Sequence, residues 1–323
     1  MEKVYDKPVN KTNPNLRRNN TMKKLFAILF AVAFIFGCLA MTACGKTEES
    51  LDAAYTKYLN QYKQTDSSLP TLTVAMSPDF PPMEFVDTAK KGQDQYVGFD
   101  VILANYLAKE LGMNVEIKPM SFDACLIAVQ TGNATLGISG FSWTPERAEN
   151  YLISDWYKAG ENESNQVIIT TKANEGKFTT AESLKGAKIG AQGTSLQEQL
   201  VKDTFGESQL VSFQDLNTGI EALMLGKVDA FAVAKGNGDA FVSKNPEKLV
   251  ASGFEFDVAE KYKNNVVLLN KNDAELLEKV NAALAKAKAA NIYESWYEAC
   301  QIYSKIKTAD DLGYDDNGNK IVK

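Results

Sequence analysis

Among 323 residues there is not one histidine. That excludes histidine-based acid–base catalysis, Ser-His-Asp and Cys-His nucleophile systems, and most zinc sites. Four cysteines, Cys38, Cys44, Cys125 and Cys300, are too few and too scattered for a disulfide framework or an all-cysteine metal site. No metal and no cofactor is expected. Positive charge is also short: 35 Lys and Arg against 41 Asp and Glu leave a net charge of -6. With no basic patch, nucleic acid is not an expected partner. No phosphate-loop glycine pattern or EF-hand loop appears. The rest, 45% hydrophobic and 24% charged, is ordinary for a soluble globular protein of one or two domains.

The amino terminus departs from that average. Met22-Lys23-Lys24 precedes an uncharged, mostly apolar run from Leu25 to Ala43, ending Met41-Thr42-Ala43 before Cys44-Gly45. A basic start, an apolar core and small residues before the cut describe an export signal. The Thr-Ala-Cys-Gly ending resembles a bacterial lipobox, in which Cys44 carries the lipid and becomes the first mature residue. Ile35-Phe36-Gly37-Cys38 fits less well because Phe36 is bulky. The alternative is an uncleaved membrane-spanning helix, since the run is nearly long enough. Either way the remainder ends up outside, tethered to a membrane. Residues 1–43 are thus assigned to the lipoprotein signal, with Met22 a candidate start, and 44–69 to a flexible tether. Removing the signal takes away seven basic and two acidic residues, leaving 28 against 39.

The most pointed stretch is Ser139-Gly-Phe-Ser-Trp-Thr-Pro-Glu-Arg147. Ala134–Ile138 before it has the composition of a short buried strand. Thr144 is a good N-cap and Pro145 suits the first helical position, which puts Arg147 in the first turn. A cation there opposes the helix dipole. Together with nearby hydroxyls and backbone N–H groups, its guanidinium fork suits a carboxylate. The plainer alternative is an arginine turned to solvent or paired with Glu146 or Glu149.

In chain order, Thr71–Met76 is an expected strand and Ser77–Pro82 an irregular turn. A helix opens at Gly98-Phe99-Asp100, with Asp100 read as its N-cap, and Gly112 closes it. The strand Val115–Pro119, a helix from Ser121 to Gln130 and the strand before Ser139 follow. This β-α-β-α-β order marks a parallel sheet with ligands beyond the strands' carboxyl ends. Gln166–Thr171 is an expected crossing strand, after which the pattern restarts. A helix at 181–185, the strand Ala187–Ala191, a helix opening at Ser195, a helix over Leu216–Leu225 and the strand Val228–Val233 follow. Ala128–Leu136 and Ala222–Ala230 echo each other in helix end, glycine and strand start. Asn265–Asn270 is a second crossing strand, followed by helices over about 273–290 and 292–306. Two crossings make the second lobe an insertion. The expected divisions are 70–166 and 268–308 for lobe 1, 171–264 for lobe 2 and 309–323 for an exposed tail.

Gly98-Phe-Asp-Val-Ile-Leu-Ala, Ile138–Arg147, Ile153-Ser-Asp-Trp-Tyr157 and Gly226-Lys-Val-Asp-Ala230 resemble the extracellular solute-binding proteins of amino-acid ABC transporters. The resemblance runs from about Leu72 to Tyr297 and keeps several motifs in order. It implies an α/β, two-lobed periplasmic-binding-protein-like fold of type II with two hinge strands. It also implies a monomer that closes on an amino acid or small carboxylate and hands it to a permease. Arg147 then matches the arginine that takes the ligand α-carboxylate, with Ser139, Gly140 and Ser142 beside it. Phe80 matches the aromatic stacked on the ligand, and Phe122 one on its other side. Gly193-Thr194-Ser195 match a second-lobe segment whose hydroxyl and N–H groups reach the same carboxylate.

One departure bears on the ligand. The resemblance implies an aspartate for the ligand ammonium five residues after Asp229, and Ala234 stands there. The other acidic position implied ahead of Phe80 is occupied by Ser77. A cation closed in without a counter-charge is costly. Either another acid (Asp79, Glu161, Glu163 or Asp239) takes over or the ligand has no ordinary α-amine. Two other functions remain open: a ligand sensor acting in trans, and a dehydratase-type enzyme, which would need a cleft acid of raised pKa. Cys125 and Cys300 are expected as separate buried thiols rather than a disulfide.

Overall fold

The computed structural model describes residues 53–157 and 165–304. The signal segment with Cys44, the residues Glu161 and Glu163, and the tail from 309 lie outside them.

Two five-stranded sheets share one plan. In the first lobe, β1 (Thr71–Met76) lies between β5 (Asn114–Pro119) and β6 (Leu136–Gly137), parallel to both. β13 (Leu268–Leu269) then runs antiparallel to β6 and to β7 (Leu152–Ile153). In the second lobe, β9 (Ile189–Gln192) lies parallel to β10 (Leu210–Phe213) and β11 (Ala230–Ala234). Antiparallel β8 (Gln166–Thr171) joins β11 to β12 (Leu249–Glu255). The β-α-β restart read from the sequence is therefore real. The whole of β8 belongs to the second sheet, so that lobe begins at Gln166. The chain leaves the first lobe after Tyr157 and returns at Asn265, and those two residues are bridged to each other.

Parallel strands are buried on both faces, which is why β11, Ala-Phe-Ala-Val-Ala, has no polar residue and no exposed position. Helices cover both sides of each sheet. The largest core lies under Phe99–Glu110 and Tyr293–Tyr303, around the fully buried Trp296 and Phe99. Residues 53–62 are helical, and Tyr55 and Tyr62 enter this core. A ten-residue helix is marginal by itself. Burying an aromatic ring supplies about 2 kcal/mol, so packing holds it. The tether expected over 44–69 is thus corrected: residues 53–62 are docked on the first lobe.

Three further readings change. Asp79–Phe80, read within a turn, forms the short strand β2, paired with β3 (Glu84–Val86), which pairs with β4 (Tyr96–Val97). The N-cap of Phe99–Glu110 is Gly98, so Asp100 is not the cap and sits inside the first turn. β10, β12 and the helix Lys235–Lys244 had no sequence signal. Lys-Gly-Asn-Gly at the start of that helix has loop composition, and tertiary packing overrides it. Cys125 and Cys300 are free, buried thiols in separate cores.

Candidate functional site

Thr144, Pro145 and the end of β6 decide where Arg147 points. Thr144 caps the helix Pro145–Asn150, its Oγ1 accepting from the Arg147 N–H at 3.2 Å. The Arg147 side chain turns back beneath this cap and is 5% exposed. Its Nη1 donates to the Ser142 carbonyl at 2.6 Å, and its Nη2 donates across the interlobe gap to the Thr194 carbonyl at 3.0 Å. Phe122 and Phe141 lie 5.5 and 5.2 Å from the guanidinium carbon, ring centre to cation. Burial pulls its pKa down to about 10, which leaves it charged at neutral pH. Among the described residues no carboxylate forms an ion pair with it, Glu146 and Glu149 included. Its remaining N–H groups have no partner among the described residues.

The guanidinium faces a cavity between the lobes with about 440 Å³ of empty space, counted to its open mouth. That volume is in the range of small-molecule sites. Phe80, Phe122, Ser139, Gly140, Ser142, Arg147 and Ser195 line it. Phe80 packs against the cores of both lobes. Phe122 serves as a platform for Arg147 as well as a wall. Gly193 and Thr194 are set back from the cavity. The Gly193 N–H donates to Phe213, the Thr194 N–H to Glu198 Oε2, and Ser195 Oγ caps the helix Leu196–Phe205. This segment meets Arg147 through the Thr194 carbonyl, with Thr194 at φ 61°.

Behind the cavity lies a buried acidic cluster that the sequence reading missed. Asp100 is fully buried, its Oδ2 accepting from the Gly140 N–H at 2.8 Å and its Oδ1 from the Tyr157 hydroxyl at 3.0 Å. Glu84, 1% exposed, accepts from Ser139 Oγ at 2.6 Å. The two carboxyls also hydrogen-bond each other. Burial raises both, Asp100 to about 6 and Glu84 further, because Asp100 adds like charge. Glu84 Oε2 receives no N–H or O–H from its surroundings, in keeping with a carboxyl pushed toward its neutral form. Together the two carboxyls fix the Ser139–Gly140 turn, Glu84 through the Ser139 hydroxyl and Asp100 through the Gly140 N–H. Gly140 sits at φ +57°, and a Cβ there would lie 2.9 Å from the Phe80 ring. Nothing in periodicity could flag Glu84, since a glutamate in a short strand is ordinarily exposed.

Of the four acids weighed against Ala234, Asp79 lines the cavity and Asp239 pairs with Lys235 at 2.6 Å. Asp79 accepts from Ser77 Oγ and, across the gap, from the Leu216 N–H at 2.8 Å and Gln192 Nε2 at 3.4 Å. Burial raises its pKa while the Leu216 and Ser77 bonds oppose the rise. Among the described residues there is no cluster of metal-ligating side chains.

Two sheets of one plan, joined by two crossings and closed over a cavity with an unpaired arginine, define a two-lobed binding protein of the type II periplasmic kind. Residues 72–299 match the family model of bacterial extracellular solute-binding proteins, family 3, and the chain belongs to that family. It is 31% identical over 182 residues to the arginine-binding extracellular protein ArtP of Bacillus subtilis strain 168, covering 56% of this chain and 60% of ArtP. It is 30% identical over 178 residues to the L-cystine-binding protein TcyJ of Escherichia coli K12, covering 52% and 64%. The matched stretch is thus under two thirds of either relative's length. Among solved structures, the amino acid ABC transporter substrate-binding protein AbpA of Streptococcus pneumoniae, bound to L-arginine, superposes with a TM-score of 0.66 at 33% identity. That superposition covers 74% of this chain and 97% of AbpA. An ancestral arginine-binding protein bound to glutamine gives 0.62 at 34%, covering 73% and 96%.

Proposed function

We propose that this chain is a lipid-anchored extracytoplasmic receptor that captures an amino acid between its lobes and delivers it to an ABC transporter permease. Arg147 carries the reading: a buried, charged guanidinium with N–H groups to spare, aimed into an interlobe cavity and unpaired with any described carboxylate. An uncompensated buried cation is expensive, and a ligand carboxylate is the group that compensates it. Asp79 supplies the opposite charge within the same cavity and takes the place of the acid missing at 234. A ligand bearing a carboxylate at one end and a cation near the other fits both.

The families of ArtP and AbpA supply L-arginine as the first ligand to test, with L-cystine, L-histidine and L-glutamine beside it. Lipid attachment at Cys44 and delivery to a permease follow from the lipobox-like sequence and the family. The lobes work as receptor halves, the ligand being released unchanged. The deciding experiment is titration calorimetry on the mature protein with those amino acids and with carboxylates lacking the amine. Binding of an amino acid that is lost in Arg147→Ala is the expected result. Wild-type protein that binds none of them, or that converts one chemically, overturns the reading.

A further inference from the structure

The helix Lys235–Lys244 brings a second polar group to the cavity. Gly238 lets it approach the sheet closely, since a Cβ there would come within 2.8 Å of Val233 Cγ2. That approach carries Asn237, fully buried, to the cavity wall beside Ala234 and Val233. Asn237 Nδ2 donates to the Pro81 carbonyl of the first lobe at 3.2 Å. A carbonyl can only accept, so this bond settles which end of the amide is which. The carbonyl oxygen, Oδ1, is then left with no partner among the described residues. Val233 and Ala234, which line the cavity with it, carry apolar side chains. A buried amide oxygen without a donor is rare enough in native proteins to need a cause.

We propose that Asn237 reads the ligand, its Oδ1 accepting a hydrogen bond from a donor group of the bound molecule. It does so one helical turn beyond Ala234, where the family resemblance led us to expect an acid. Because its Nδ2 reaches the other lobe, the same side chain is oriented only when the lobes are closed. Recognition of a donor and closure are thereby joined in one amide. This rests on the cavity being the amino-acid site, and it narrows the ligand to one with an N–H or O–H donor facing the second lobe.

The test compares wild type and Asn237→Ala on three probes, L-arginine, 5-guanidinopentanoate (no α-ammonium) and L-norleucine (no guanidinium), by calorimetry and competition. The variant is expected to weaken L-arginine at least tenfold. It should leave within about twofold the probe that lacks the donor Asn237 reads. Asn237→Asp, which keeps an acceptor and loses the donor to Pro81, should bind more weakly overall and keep the wild-type ranking of the probes. Thermal melting checks that both variants fold. An equal loss on all three probes in Asn237→Ala marks a plain lobe contact and overturns the proposal alone. A wild type that binds none of the three overturns this proposal, and one that also fails to bind L-cystine, L-histidine and L-glutamine overturns the amino-acid reading with it.

Discussion

Asp79, on the first lobe, accepts a 2.8 Å hydrogen bond from the backbone N–H of Leu216, the first residue of a second-lobe helix. A carboxylate from one lobe thus meets the helix N-terminus of the other, where the dipole favours an anion. Arg147 on Thr194, Asn237 on Pro81 and Gln192 on Asp79 span the same gap beside the cavity. Under the proposed function closure and capture share residues, so changes at these positions should move both.

Asp79 can be dissected by charge. Asp79→Asn keeps an acceptor for Leu216 and loses the charge, while Asp79→Ala loses both. Hydrogen bonds to charged groups contribute about 1.5–3 kcal/mol. We expect Asp79→Ala to lower L-arginine affinity by roughly tenfold to a hundredfold and to enlarge the ligand-free particle in X-ray scattering. Asp79→Asn should lose affinity without the enlargement. Identical scattering profiles for all three proteins would show that the Asp79–Leu216 bond does not hold the lobes together.

Arg147→Ala should keep its melting temperature within a few degrees and lose ligand binding. Removing one partner of a buried charge pair costs about 2–5 kcal/mol, so calorimetry should show a loss of at least thirtyfold. Arg147→Lys should rescue little, because a single ammonium cannot span Ser142, Thr194 and a ligand at once.

Gly140→Ala tests the turn. Its φ of +57° disfavours an L side chain, and the new methyl would press on Phe80. We expect destabilisation of about 1–2 kcal/mol and weakened binding, read from denaturant melts and calorimetry. A variant as stable as wild type would refute the packing argument.

The Glu84–Asp100 pair predicts a pH dependence. Both pKa values are raised in the folded state, Asp100 from 3.8 to about 6. The folded protein therefore binds protons that the unfolded chain releases, and stability falls as pH rises through that window. Lowering pH from 7 to 5 should raise the melting temperature of wild type relative to the Glu84→Gln/Asp100→Asn double variant. Parallel curves for the two proteins would show that the pair is not protonated in the fold.

Cys125 and Cys300, both fully buried and unpaired, should resist alkylation in the native protein and both react after denaturation. Burial pushes both thiols up, which slows them further. Mass spectrometry that finds a Cys125–Cys300 bridge would contradict the fold.

Much of the architecture was legible because it is local. β1, the cap at Thr144 with Pro145 behind it, and the repeat of helix end, glycine and strand depend on neighbours within a few residues. Ser142 and Arg147 could be named from one short motif, while Phe80 and Phe122 came from the family resemblance. The Tyr55 helix, β10, β12 and Lys235–Lys244 could not, because their stability comes from surfaces supplied by distant parts of the chain.

The sequence by itself determined the two-lobed α/β plan, the absence of histidine chemistry and the arginine that marks the site. Only the tertiary structure decided which groups face that arginine. It tied the N–H groups of Gly140, Gly193 and Thr194 to acceptors of the protein itself, removed Asp100 from its expected cap to a buried carboxyl pair with Glu84, and brought Asp79 and Asn237 to one cavity from opposite lobes. Gly140 and Asp100 are 40 positions apart, Asp79 and Leu216 137, Asn237 and Pro81 156, and burial, which shifts the carboxyls' pKa values, is a property of the folded surface that no stretch of chain carries alone.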